Sequence, residues 1–171
     1  MIAEDITASP RLAGLVERYH TWPVTRKQNN AEHSWQVARI YLEIFGTPRS
    51  EVLVYIQYHD IGEIGVGDLP FPVKSKNPAV KEHIDGLEGE CRNRMGIKMP
   101  ELTDEERKFV KVCDLMEMYE YGMEEIMRGN RFAEPIVSRT HSAINGMVMT
   151  IAMDTRQRIY DHILKRFAWT T

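Results

Sequence analysis

Apolar residues along this chain recur at helical spacing, and residues that start and stop helices punctuate them. Ser9-Pro10 is an N-cap followed by proline at the first helical position. It predicts a helix with Leu12, Leu15, Val16 and Tyr19 on one face, ending at Trp22-Pro23. Asn29 followed by Glu32 suits a capping box and opens a second helix, through His33 to about Phe45, with Gly46 as its terminator. Thr47-Pro48 starts a third, whose apolar face is Val52, Leu53 and Ile56 and whose last turn holds His59-Asp60 before Gly62, Gly65 and Gly67 break it. Asn77-Pro78 opens a fourth, running to about Met95. Thr103 and Glu106 form another capping box, ahead of a helix carrying Phe109, Val110, Val112, Cys113, Leu115, Met116 and Tyr119 and ending at Gly122. Pro135 and Asp154 open two last helices that finish near Phe167. Period-two alternation is sustained nowhere, and no repeat or linker divides the chain. The expectation is an all-α protein, a single bundle of six or more helices over residues 1–171.

Composition narrows the function. A length of 171 residues suits one domain of ordinary size. The formal net charge of -3 argues against a binder of nucleic-acid polymers or of membrane surfaces, which needs a basic face. A small anionic substrate stays open, received by a metal or by local Lys and Arg. Cys91 and Cys113 are the only cysteines, too few for a disulfide framework and without a C-x-x-C partner, so they read as buried small hydrophobes. The start of the chain lacks the basic and apolar regions of a signal peptide, and no apolar run reaches the ~18 residues of a membrane span. A cytoplasmic protein is expected. Ten methionines, with Trp169 near the end, suit an adaptable helical interface and leave a homo-oligomer open.

The chemistry concentrates between Tyr58 and Lys74. His59-Asp60 follows an apolar run, Glu63 and Asp68 come next, and glycines and prolines force turns before Lys74. Ionisable groups behind a hydrophobic helix need neutralising, because a buried unpaired charge costs several kcal/mol. His33, one turn into its helix, and Asp114, among apolar residues of Lys111-Val-Cys-Asp-Leu-Met-Glu117, join the same account. Asp114 has no arginine nearby in sequence; it wants a cation, or else an ion pair from afar with Arg92 or Arg139. Two imidazoles and two carboxylates make a mixed N/O set for one divalent ion of manganese, cobalt, iron, nickel, zinc or magnesium, with positions left for water and a phosphate oxygen.

His33, then His59-Asp60, then Asp114 match the H…HD…D ligand order of the HD-domain phosphohydrolases, which this chain resembles. The likeness extends to Trp22-Pro23, Glu32-His33-Ser34, the string YHDIGEIGVGDLPFPVK and Lys111-Val-Cys-Asp, which look like the 5'-deoxynucleotidase branch. Compact phage deoxynucleoside triphosphate (dATP) triphosphohydrolases are similar too. The resemblance covers roughly residues 10–130. It implies an HD-domain helical bundle with metal on His33, His59, Asp60 and Asp114. Glu63 matches the acid acting on the water or leaving group, Asp68 the second acid, and Trp22 the part that packs on sugar and base. Two departures stand out: the branch has Arg directly before this Trp, where Thr21 stands here, and the stretch from Trp22 to His33 is shorter.

The implied reaction cleaves the bond between the α-phosphorus and the five-prime oxygen of a deoxynucleotide, releasing the nucleoside. A monophosphate substrate makes it a 5'-deoxynucleotidase; a triphosphate makes it a triphosphohydrolase. A bound divalent ion polarises a phosphoryl oxygen and lowers the pKa of its water. Arg26 and Lys74 are the expected phosphate contacts, with Lys27, Arg18 and Lys76 in reserve. Trp22 is expected to stack on the base, with Val24 and Phe71 as apolar wall. The competing class is a non-catalytic HD module that keeps its metal for stability; intact Glu63 and Asp68 argue against it.

Overall fold

Ser9 caps the first helical turn as expected, its hydroxyl accepting from the Leu12 amide at 3.3 Å, but α1 covers only Pro10–Ala13. The computed structural model describes residues 5–70, 73 and 76–167, and Phe71, Lys74 and Trp169 lie outside them. Instead of remaining helical to Trp22, the chain extends. A short strand β1 (Glu17–Arg18) pairs antiparallel with β2 (Gln28–Asn29), Arg18 opposite Gln28. The next helix dictates this. Its first amides, Asn30 and Ala31, have no intrahelical acceptor and donate to the carbonyls of Val16 and Gly14 at 3.1 and 3.0 Å. Leu12 and Leu15 are therefore exposed rather than on a buried face, and Tyr19 adopts a φ of 57°, uncommon for a bulky residue.

Helix α2 (Asn30–Phe45) starts at Asn29, whose side chain accepts from the Glu32 amide at 2.9 Å. Its buried face reads His33, Val37, Ile40, Tyr41, Ile44, so His33 heads the stripe that faces the core. Helix α3 (Ser50–Tyr58) begins just after Pro48 and stops one residue before His59. His59 and Asp60 thus lie past the helix rather than in its last turn, because the backbone leaves the helical region at Asp60, with φ -101° and ψ 5°. A 3-10 turn, Ile61–Gly65, follows. Helix α4 (Pro78–Arg94) packs on it so closely that a Cβ at Gly62 would lie 2.5 Å from the Glu88 carbonyl oxygen.

Helix α5 (Asp104–Met127) opens with the full capping box of Thr103 and Glu106. It runs through Gly122 instead of ending there. A Cβ at Gly122 would stand 2.8 Å from Cγ2 of Val137 on α6 (Glu134–Val148), so the glycine admits a neighbouring helix. A mid-helix glycine costs about 1 kcal/mol, here offset by close packing. Helix α7 (Met153–Phe167) is the last. Among the described residues the helices share one main core: Val37, Ile40 and Ile44 of α2, Val52 and Ile56 of α3, Val112, Cys113 and Met116 of α5, Ile144 and Val148 of α6, and Ile159 of α7. Cys91 and Cys113 are both buried and free. No helix among the described residues is long and apolar enough to cross a membrane. The all-α expectation holds, with one short strand pair that the hydrophobic pattern does not announce.

Candidate metal centre

The head of α2, the exit of α3 and the middle of α5 meet at one point. His33 is fully buried there, with Nδ1 2.6 Å from Glu117 Oε2. A carboxylate facing Nδ1 places the proton on that nitrogen and turns the Nε2 lone pair the other way. Nε2 then faces Asp114 Oδ1 at 3.2 Å and Asp60 Oδ2 at 3.6 Å. His59 is arranged alike: Nδ1 donates to the Ile56 carbonyl at 2.7 Å, and Nε2 lies 3.3 Å from Asp60 Oδ2. The two rings stand 5.3 Å apart.

Neither Nε2 atom has a partner in hydrogen-bonding geometry, although both are buried. One donor atom each from His33, His59 and Asp60 falls within 4.8 Å of the others. With neutral imidazoles, the lone pairs and carboxylate oxygens turned on one another repel; a divalent cation relieves that, taking the place of the proton that His33 otherwise binds, and the donor set fits one. Asp114 adjoins this trio through its contact with His33. Two cations flank the cluster: Arg18 Nη1 holds Asp60 Oδ2 at 2.8 Å and Lys111 Nζ holds Asp114 Oδ2 at 2.6 Å. The cation near Asp114 is therefore a lysine one turn away on its own helix, neither Arg92 nor Arg139. An arginine does stand beside Asp60, yet the trio still converges.

These contacts set the charge states. Burial raises the Asp60 carboxyl, but His59, Arg18 and His33 outweigh it and bring it below the usual range. Burial likewise opposes ionisation of Asp114, and Lys111 and His33 hold it well below that range. Burial and Arg18 push the His33 imidazole down, while Glu117 and Asp114 raise it further, to about 9. Glu63 behaves differently. Buried on the 3-10 turn, it accepts from Asn30 Nδ2 at 2.9 Å. Burial, then the charge of Asp60, pushes its carboxyl up to about 8, so it keeps its proton at neutral pH.

Asp68 Oδ2 accepts from the Tyr19 amide at 3.0 Å and so fixes the residue after Arg18. Trp22 and Val24 pack on a small cluster of Tyr19, Tyr121 and Ile136. Arg26 pairs with Glu32 and, at 3.8 Å, with Glu124, its guanidinium 5.0 Å from the Tyr121 ring centre. Phe71 and Lys74 fall outside the described residues. Tyr19, which follows Arg18, stacks its ring on that of Tyr121 with centroids 4.4 Å apart. Sequence reasoning passed over Glu117 and Asn30. Glu117 was within reach: a second carboxylate three residues after Asp114 occupies the next turn of the same helix face.

A family model of YfbR-like 5'-deoxynucleotidases matches residues 11–165. A 5'-deoxynucleotidase of Vibrio vulnificus is 30% identical over 135 residues, covering 64% of this chain and 70% of that protein. The 5'-deoxynucleotidase YfbR of Escherichia coli is 28% identical over 135 residues, covering 64% and 68%. Among solved structures, the cyanophage S-2L HD phosphohydrolase DatZ, bound to dA and one catalytic zinc ion, matches with a TM-score of 0.72 at 21% identity, over 95% of this chain and 96% of that one. That last likeness establishes the fold.

Proposed function

The chain belongs to the YfbR-like 5'-deoxynucleotidase family, and on that premise we propose that it hydrolyses deoxynucleoside monophosphates at the α-phosphorus, releasing the deoxynucleoside. The observation that carries this reading is the pair of buried, unpartnered Nε2 atoms of His33 and His59 turned toward Asp60, next to a Glu63 that keeps its proton. His33, His59, Asp60 and Asp114 would hold a divalent ion, which when bound would supply Lewis acidity and an acidified water. Arg18, pinned by Asp60, sets positive charge where the phosphate oxygens arrive. Glu63 holds a proton for the departing five-prime oxygen, and Asn30 keeps that carboxyl aimed. Asp68 fixes Tyr19 by its backbone. Trp22 and Val24 form the wall toward base and sugar, joined on the strength of the family resemblance by Phe71, with Arg26 and Lys74 as further cations.

The reading extends to a cytoplasmic enzyme built as one domain, working on free deoxynucleotides rather than on nucleic-acid polymers. Exposed Met127, Met149 and Met153 support self-association. Chelated protein reloaded with manganese or cobalt, then offered each deoxynucleoside mono- and triphosphate, tests the reaction. Free phosphate from monophosphates is the expected product. Triphosphate released from deoxynucleoside triphosphates moves the assignment to a triphosphohydrolase, the second reading. No product from any of them leaves only a binding module.

Glu63 also makes a stability prediction. Its carboxyl ionises near 4.5 in the unfolded chain but at about 8 in the fold, so the metal-free fold binds the extra proton between those values. The stability this contributes is fully present below about pH 4.5 and is lost as pH rises through about 8. Glu63→Gln stays neutral throughout, and its amide oxygen still accepts from Asn30. In chelated protein the variant and the parent should therefore melt together near pH 4.5, with the variant gaining several degrees by pH 8. A melting difference that does not change with pH contradicts the buried, protonated Glu63.

A further inference from the structure

Helix α5 carries more than Asp114 and Glu117. Two turns beyond Glu117 stands Glu125, a carboxylate with no solvent exposure, whose partners come from the loop before α2 and from residues just past the end of α5. One of its oxygens accepts from the Thr25 amide at 2.6 Å and from Asn130 Nδ2 at 2.7 Å. The other accepts from the Thr25 hydroxyl at 2.7 Å and from the Arg26 amide at 3.1 Å, with Arg128 Nη1 at 3.5 Å. Asn130 Nδ2 also donates to the Pro23 carbonyl at 2.8 Å, and the Tyr121 hydroxyl donates to the Arg26 carbonyl. Pro23, Thr25 and Arg26 are thus gripped by the C-terminal half of α5 and by Asn130 just beyond it. The other end of the loop is tied to the same helix, because Gln28 Nε2 donates to Glu117 Oε1 at 2.6 Å while Glu117 Oε2 holds His33.

We propose that Glu125 is a positioning residue for the substrate: it locks the loop bearing Trp22, Val24 and Arg26 against α5, at a fixed height relative to Asp114 on the same helix. The proposal rests on the deoxynucleotidase reading above and deepens it. A loop backbone facing water has little to hold one conformation. Here its amides meet a buried carboxylate whose lone pairs are all used, and charge-assisted bonds of this kind are among the stronger ones. The loop side chains form a wall for sugar and base before substrate arrives, which lowers the ordering entropy that binding must overcome. Loss of the lock therefore weakens substrate binding and leaves the chemistry at the phosphorus largely alone.

Glu125→Gln replaces two acceptor oxygens by one and turns an NH2 group toward the Thr25 or Arg26 amide. Thr25→Val removes the hydroxyl bond from the loop side, and Thr25→Ser keeps it. Steady-state kinetics on a deoxynucleoside monophosphate, metal content, and hydrogen exchange of the Trp22, Val24, Thr25 and Arg26 amides are measured for all three beside the wild type. Expected are a KM raised about tenfold or more in Glu125→Gln and to a smaller degree in Thr25→Val, with kcat within about threefold, unchanged metal content, and faster exchange of the loop amides. Thr25→Ser should match the wild type in every readout. Should Glu125→Gln not fold, the Val and Ser pair at Thr25 decides. An unchanged KM with faster loop exchange overturns the proposal, as does a fall in kcat and metal content at constant KM. A wild type that hydrolyses no deoxynucleotide overturns this proposal together with the deoxynucleotidase reading, whereas an active wild type with an indifferent Glu125→Gln overturns this one alone.

Discussion

Asp60→Asn should lose metal and lower kcat on a deoxynucleoside monophosphate by about a thousandfold or more, equivalent to roughly 4 kcal/mol of transition-state stabilisation. Asp60 is tied to every part of the centre: its Oδ2 lies 3.3 Å from His59 Nε2, 3.6 Å from His33 Nε2 and 2.8 Å from Arg18 Nη1. An asparagine still accepts from Arg18, so the arginine stays in place, but the charge that balances it is gone. Breaking one partner out of a buried ion pair destabilises by about 3–5 kcal/mol when it leaves an uncompensated charge. A combined Arg18→Met and Asp60→Asn variant separates the two effects. It should recover much of the stability without recovering activity. If instead the double variant melts like Asp60→Asn alone, the buried pair is not what Asp60 supports in the fold.

Glu63→Gln is the second large effect and has the opposite signature. The residue lies beside the ligand trio without belonging to it, and its partner is Asn30 rather than a metal ligand's side chain. Metal content should stay at the wild-type level while kcat falls about a hundred- to ten-thousandfold, the span expected when a positioned acid is removed. The deficit should shrink for a substrate whose leaving group needs no proton, such as a nitrophenyl phosphate ester. An equal deficit for both substrates would show that Glu63 acts on the water or on phosphate orientation and not on the leaving oxygen.

Much of this architecture was legible in the amino-acid sequence because it rests on local signals. Asn29, Thr103 and Ser9 cap the helices they are expected to cap, and each does so by accepting from the amide three residues on. His33, His59, Asp60 and Asp114 come from three separate elements, yet their order along the chain was enough to associate them. The errors arise where long-range contacts override local preference. Leu12, Leu15, Val16 and Tyr19 have helical spacing, but the carbonyls of Gly14 and Val16 are claimed by the start of α2, a partner no local pattern announces. Gly122 has the look of a stop, and only the neighbouring Val137 explains why a glycine sits inside a continuous helix. Arg18 was a reserve cation because nothing in sequence brings it to Asp60, which lies far along the chain. Glu125 had no signal at all: its role is visible only once the loop it binds has been placed.

The ion content of the chain tests the central claim most directly. Protein stripped with chelator, dialysed against manganese or cobalt and freed of excess should hold about one ion per chain by elemental analysis, with hydrolysis rising in proportion to occupancy and with Asp60→Asn holding none under the same conditions. Full hydrolysis by the stripped protein, or an ion count that Asp60→Asn leaves unchanged, would contradict the account.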